Sequence, residues 1–501
     1  MSKTLLKQLG PLGLQVSKTQ SAKKLWRSIN MTSPPLLLLY AVVFLGGVMV
    51  TFLLALTAIP KSAEQNNTRV PLIPIHRRLI FSRQGAGSVK TVTTGAPMFC
   101  FYDRYSERHT EPVKYSPIKH LPARYCSHLV YGYISPGDLK NVTTQASTKS
   151  PVGSFADAQK KIKQMVQLKS TYPALRVMVA IGGKHVDSRS FSDELLTEGR
   201  REHFAQRAAR WLRARGLDGL HVHWMYPGQG NGRPSDRQNL PRFLAQLRKS
   251  FDSRMKGRNL VLTLFVPHGD ELIDRGYEVK AAAAQVDYLI LHGWGYSEPN
   301  RAEVSSPLFN RPPERQGSPT NSIHDMVALL ADRGAPKSKM ILGVSARGIS
   351  YTLARPEPSV RALLRASHPF GRPGPFTKTA GQLAYYEICY NVYRHNWARV
   401  FDAITGCPYA FLGNEWVTYD DSDSLRAKAS FIRNQTLAGA ALLNVQADDY
   451  FGLCGPKNVL ARSLYTGLRF YTPKTAQKKS PKVSRVRYQR RTRTIARWRS
   501  T

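Results

Sequence analysis

The sequence predicts an α/β chain in which eight parallel β/α units close into a barrel, with one transmembrane helix ahead of them. Three observations lead there. Eight short apolar or β-branched runs, MFCFYD, CSHLVYGYI, RVMVAIGG, GLDGLHVHW, NLVLTLFVP, VDYLILHGW, KMILGVSA and GAALLNV, alternate with helical stretches. Such alternation builds parallel strands joined by crossover helices, and a count of eight favours a closed barrel over an open sheet. The intervening stretches carry helical periodicity, as in Glu198 to Arg213, where Phe204, Ala208, Trp211 and Leu212 share one face among arginines. The third observation is the uncharged run LLLLYAVVFLGGVMVTFLLALTAI at residues 36–59.

Taken in order, residues 1–35 form a basic leader with Lys3, Lys7, Lys18, Lys23, Lys24 and Arg27 and no acid. The apolar run from Leu36 to Ile59 follows, and at ~1.5 Å per helical residue it is long enough to cross a ~30 Å hydrocarbon layer. Lys61, Glu64 and Arg69 follow with mixed sign, so the positive-inside rule leaves the N-terminus in the cytosol. The expectation is a single-pass type II membrane protein with its C-terminal domain extracellular or lumenal. A cleaved signal peptide and a secreted product is the alternative, although Leu56-Thr57-Ala58 is a poor cleavage site. Residues 60–96 lack a sustained apolar period and read as a flexible stalk.

A hydrophobic content of 42% supports a large core, whereas the net charge of +40 and pI near 10.3 point to polyanionic partners. Much of that charge lies in the tail, residues 473–501, where Lys474, Lys478, Lys479, Lys482, Arg485, Arg487, Arg490, Arg491, Arg493, Arg497 and Arg499 occur with no acid. Such a composition cannot bury a core and is expected to stay disordered. Outside a membrane it suits sulfated glycans, with a merely solvated tail as the alternative; nucleic acid is not expected there. Cys100, Cys126, Cys389, Cys407 and Cys454 are too few for a disulfide-built fold, and Asn66, Asn141 and Asn434 stand in N-x-S/T sequons that an exterior domain could use.

The stretch Gly216 to Pro227, GLDGLHVHWMYP, resembles the fourth-strand motif DGxDxDWEYP of the family 18 chitinases. The resemblance continues in order along residues 97–472. CSHLVYGY is similar to the second-strand CTHxxYxF, and VAIGG at Val179 to Gly183 to the third-strand glycine motif, with Lys184 in place of Trp. DYLILHGWGY stands where the family has MxYD, so Trp294 and Gly295 replace its Tyr and Asp. Ser306-Pro307-Leu308 and KMILGVSARGISYTL, from Lys339, resemble the SPL and KxxLGxPxYGRxFxL blocks. GPFTKTAGQLAYYEIC and GNEWVTYDD resemble the insertion before the last strand, and LAGAALLNVQADDYFGLCG that strand itself, with Leu443 where a Trp floors the sugar site. The resemblance implies a (β/α)8 TIM barrel carrying an α+β insertion domain, about residues 350–425, between strands seven and eight. It also implies Cys100-Cys126 and Cys389-Cys454 disulfides. Cys407 is then left over, either as a buried thiol or as the link of a disulfide-bonded dimer.

In this family the substrate's own N-acetyl oxygen attacks the anomeric carbon, which requires a protonated Glu beside the leaving oxygen and an Asp to orient the acetamide. Here the positions of DxxDxDxE read Asp218, His221, His223 and Met225. Met225 has no proton to donate and His223 no negative charge to offer, so the expectation is a degenerate site with no catalytic residues, no cofactor and no chitinase activity. The rival is a live hydrolase using other groups.

Residues two apart on a strand share a face, so His221, His223 and Met225 should point together into the barrel. With His292 on strand six they could hold Zn²⁺ or copper, or simply hydrogen-bond to one another. Sugar-stacking candidates are Trp224, Tyr226, Trp294, Tyr296, Trp416 and Tyr419. The whole reads as a non-catalytic, membrane-anchored, glycan-binding or signalling ectodomain for chitin-type or sulfated glycans, or, if cleaved, a secreted lectin or growth factor.

Overall fold

All eight apolar runs become strands of one barrel. The computed structural model describes residues 95–104, 120–139, 155–184, 186–252, 259–297, 301–310, 322–356, 364–368 and 370–473. The leader, the apolar run at 36–59, most of the stalk and the basic tail lie outside the described residues, as do Asn66 and Asn141. Among the described residues, no helix is long and apolar enough to cross a membrane.

Fifteen strands are described, numbered along the chain. Eight of them form the barrel: β1 (Met98–Asp103), β2 (His128–Ile134), β3 (Arg176–Gly182), β4 (Gly219–His223), β5 (Val261–Val266), β6 (Tyr288–His292), β8 (Met340–Ser345) and β15 (Gly439–Leu443). They close in the order β1-β2-β3-β4-β5-β6-β8-β15, and every neighbouring pair is parallel. The remaining strands are β7 (Arg301–Ala302), β9 (Arg347–Leu353), β10 (Leu364–His368), β11 (Gln382–Ala384), β12 (Ala398–Asp402), β13 (Cys407–Leu412) and β14 (Glu415–Thr418). They build a second, antiparallel sheet in the order β12-β13-β14-β9-β10-β7, with β11 also paired to β9. Except for β7, this sheet lies in the chain between β8 and β15.

Ten helices are described: α1 (Phe155–Gln167), α2 (Ser188–Leu195), α3 (Glu198–Ala214), α4 (Asp236–Asp252), α5 (Asp270–Gly276), α6 (Val279–Gln285), α7 (Ile323–Asp332), α8 (Tyr385–Arg394), α9 (Ser422–Asn434) and α10 (Val459–Leu468). Their starts follow the sequence. Thr197 Oγ1 accepts from Arg200 N at 3.3 Å ahead of α3, Ser322 Oγ accepts from Asp325 N at 3.2 Å ahead of α7, and Asp421 accepts from Asp423 N and Ser424 N ahead of α9. Each cap satisfies amide donors that the helix itself leaves unpaired. Asn434, the described sequon residue, is exposed at the end of α9.

Strand alternation divides the apolar residues between two cores. Phe99, Phe101, Val130, Met178, Ala180, Val261, Ile290, Ile341, Ala441 and Leu443 fill the barrel interior, while the alternate positions pack against the helices. Gly219 on β4 is a close-approach position, because a Cβ there would lie 2.3 Å from the Val261 carbonyl oxygen.

Both disulfides implied by the resemblance are present, Cys100–Cys126 and Cys389–Cys454, with Cα atoms 5.9 and 6.0 Å apart. Cys407 is a buried free thiol with no exposed surface, and it donates to the Ser306 carbonyl oxygen at 2.9 Å. Of its two readings, burial supports the thiol, since a sulfur enclosed between β13 and the Ser306 segment would need local unfolding to meet a second chain. Around it lies a buried polar network. The Lys428 ammonium, fully enclosed, donates to Asp420 Oδ1 at 2.5 Å and to Ser306 Oγ at 2.9 Å.

Candidate functional site at the carboxyl ends of the strands

In barrels of this kind the carboxyl ends of the strands form the functional face and the amino ends serve stability. The structure divides the degenerate motif between the two. Asp218 lies just before β4, at the amino end, where it accepts from Lys169 Nζ at 2.7 Å and from Val177 N at 2.8 Å. It ties β4 to β3 and is a structural residue, not a member of a site with the histidines. The same end holds a cavity of about 440 Å³ lined by Arg176, Asp218, Arg248, Asp287 and Tyr288.

His221 and His223 point into the barrel as alternation requires. His221 is fully buried, with Nδ1 2.8 Å from Thr263 Oγ1 and Nε2 3.4 Å from His223 Nδ1. Phe101 meets the His221 ring edge-on at 4.9 Å, Phe265 stacks on His223 at 3.8 Å, and Tyr133 meets His223 edge-on at 4.8 Å. Loss of hydration disfavours a charged imidazole in such surroundings. Burial pushes His221 down to about 3; burial and then the neighbouring His221 hold His223 well below its ordinary value. Both rings are neutral at pH 7. Met225 follows, half-buried, beyond the end of the strand.

On β6, His292 packs against His268 at 4.7 Å, Phe265 at 5.2 Å and Trp294 at 4.0 Å, and burial holds its ring well below the usual histidine range. Its buried Nδ1 has no hydrogen-bond partner among the described residues. His268, after β5, is lowered to about 4 by burial, and its Nε2 lies 3.0 Å from the Gly295 carbonyl oxygen. His221, His223 and His292 do not bring three ligand nitrogens to one point. Among the described residues the one such convergence is Cys389, Asp449 and Cys454, whose sulfurs are already joined in a disulfide.

The six aromatic candidates separate sharply. Trp224 faces outward from β4, is 2% exposed, stacks on Phe191 at 5.0 Å and donates its indole N–H to Ser188 Oγ at 3.0 Å. Trp416 is fully buried in the second sheet between Tyr409 and Tyr351. Tyr419 is buried against Tyr385. These three are core residues with no ring face open to a sugar, a correction to their reading as platforms. Tyr226 is 45% exposed, while Trp294 and Tyr296 are half-buried on the functional face, Tyr296 against His268 at 4.4 Å.

Trp294 and Leu443 act together. A Cβ built on Gly343 would lie 3.1 Å from Trp294 Cζ3 and 3.3 Å from Leu443 Cδ1, so both side chains crowd the same glycine on β8. The indole of Trp294, past the end of β6, thus lies beside the Leu443 side chain of β15 in the barrel-interior cluster. Sequence reasoning saw these as two separate changes and missed their pairing, which only the barrel's closure creates. It also missed His268, Tyr133 and Phe265, although each lies at or just past the carboxyl end of an apolar run.

A family model described as Glycosyl hydrolases family 18 matches residues 97–448. The chain is 31% identical over 365 residues to chitotriosidase-1 of Mus musculus, covering 72% of this chain and 75% of that protein. The solved Group IV chitinase of Ostrinia furnacalis superposes with a TM-score of 0.67 at 27% identity, covering 74% of this chain and 99% of that one. Human YKL-39, a pseudo-chitinase with retained chitooligosaccharide binding properties, superposes with a TM-score of 0.64 at 26% identity over 74% and 99% of the two chains. With a closed eight-stranded parallel barrel and a family match over most of its length, the chain belongs to glycosyl hydrolase family 18.

Proposed function

We propose that this chain is a non-hydrolytic family 18 domain that holds a glycan at the carboxyl-end mouth of its barrel, displayed outside the membrane on the apolar segment at 36–59 as a binding or signalling ectodomain. The observation that carries this reading is the make-up of the inward positions on β4. His221 and His223 are surrounded by Thr263, Phe101, Tyr133 and Phe265, and Met225 occupies the general-acid position. A general acid must hold a proton within reach of the leaving oxygen. A thioether has none, and an imidazole lowered to about 3 is unprotonated at neutral pH. The half-buried Trp294 and the exposed Tyr226 leave ring surface for a pyranose, and the similarity to a pseudo-chitinase that retains chitooligosaccharide binding supports binding without hydrolysis.

Activity and binding are tested together on the purified full-length chain. No release from a fluorogenic chitooligosaccharide above a mock preparation is expected, alongside saturable glycan binding; turnover above mock would reject the inactive reading. The orientation is tested by protease treatment of intact microsomes. The disulfide-bonded domain should be protected, and digestion without detergent would place it in the cytosol instead.

A further inference from the structure

One side of the barrel mouth carries cations where the family patterns have aromatic rings. Lys184 follows the end of β3 by two residues and is exposed. Arg347 opens β9, two residues past the end of β8, and occupies the position of the tyrosine in KxxLGxPxYGRxFxL. Asp103 ends β1 between them, and both Arg347 and Asp103 lie within Coulombic range of Lys184. Arg347 donates to Gln382 Oε1 at 3.0 Å, whereas Lys184 has no hydrogen-bond partner among the described residues.

The opposite side has lost its acids. His221, His223 and Met225 replace two aspartates and a glutamate, and Gly295 replaces the strand-six aspartate. Against the family patterns, then, four carboxylates are removed and two cations are added, while Ile349 stands where KxxLGxPxYGRxFxL has its arginine. The imidazoles stay neutral at pH 7, so the positive field comes from Lys184 and Arg347, with Asp103 offsetting part of it. Charges that line a cleft with low-dielectric walls focus the field onto whatever enters it.

Resting on the glycan-binding reading above, we propose that this mouth selects an acidic oligosaccharide, in which N-acetylhexosamine units alternate with or carry carboxylate or sulfate groups, with Lys184 and Arg347 as the residues that read the charge. Trp294 offers the sugar ring an apolar floor, and the neutral histidines offer hydrogen-bond donors and acceptors without repelling an anion as the lost carboxylates would.

The test is calorimetric titration of the full-length protein with hyaluronan hexasaccharide, a sulfated chondroitin hexasaccharide and neutral chitohexaose. Both acidic probes, or one of them, should bind about tenfold more tightly than chitohexaose, the lower end of what one charge-assisted hydrogen bond contributes. Both acidic probes carry uronate carboxylates, so equal binding points to the carboxylate and tighter binding of the chondroitin to its sulfate. Lys184→Gln and Arg347→Gln should each remove most of that advantage over chitohexaose, and Lys184→Arg should keep it. Because Lys184 is exposed, its variants carry the test if Arg347→Gln fails to fold. Replacing Arg490, Arg491 and Arg493 by Ser should leave hexasaccharide affinity unchanged. Chitohexaose binding as tightly as the acidic probes would overturn the inference and leave glycan binding standing, and so would an acidic preference that follows the tail substitutions. Failure of all three sugars to bind would reject the glycan-binding reading itself.

Discussion

Acidification should destabilise this barrel through its buried imidazoles, and the size of the effect follows from their surroundings. His221 has an unfolded value near 6.5 and a folded value of about 3. Between those limits the unfolded chain binds a proton that the folded chain refuses. Unfolding free energy therefore rises with pH across this window and is lost as pH falls below about 6.5. For one such histidine the loss is about 2 kcal/mol at pH 5 relative to pH 7, approaching ~1.4 kcal/mol per further pH unit. His128, stacked on Phe99 in the amino-end layer of the barrel, is likewise lowered to about 3 and contributes a similar amount. His223 and His292 act in the same direction.

Two histidines alone amount to about 4 kcal/mol at pH 5, a large share of the 5–15 kcal/mol typical of a folded domain. Urea unfolding followed by tryptophan fluorescence at pH 7.5, 6.5, 5.5 and 5.0 measures the slope. His221→Gln, which keeps a hydrogen-bonding group beside Thr263, should remove about one proton from the slope between pH 5 and 6. The reasoning is refuted if stability is flat between pH 7 and 5, or if His221→Gln leaves the slope of the wild type intact.

Three further outcomes are expected. Lys428→Met should destabilise the fold by about 3–5 kcal/mol in thermal or urea unfolding by stranding the buried Asp420, and adding Asp420→Asn should recover part of that loss; no recovery in the double variant would argue against a coupled pair. Trp416→Ala should cost about 3–5 kcal/mol of stability because it empties a packed core position, whereas Tyr226→Ala should leave stability within about 0.5 kcal/mol and weaken only glycan affinity. The Cys407 thiol, pushed up to about 12 by burial, should resist maleimide in the native protein and react on denaturation, with no dimer on non-reducing electrophoresis. A disulfide-linked dimer that Cys407→Ser abolishes would contradict its burial.

The eight strands, the amphipathic α3 and the two disulfides were legible in the chain because they depend on local periodicity and on ordered partial motifs. Loss of the catalytic carboxylates was equally legible, since it rests on residue type at a motif position. By itself, then, the sequence determined the barrel, its family resemblance and the absence of acids at His221, His223 and Met225.

Tertiary packing decided which of the remaining residues stay open to solvent. Trp224 and Tyr226 share the outward parity of β4, yet Trp224 is sealed under Phe191 and Tyr226 lies open beyond the strand end. Trp294 covers the space beside Leu443 only because closure of the barrel sets strand six next to the strands around Gly343. Cys407 is buried because the second sheet folds over the Ser306 segment. The physical reason is shared: strand parity and residue type are local properties, whereas solvent access depends on which distant segment covers a side chain, and that contact exists only once the barrel is closed.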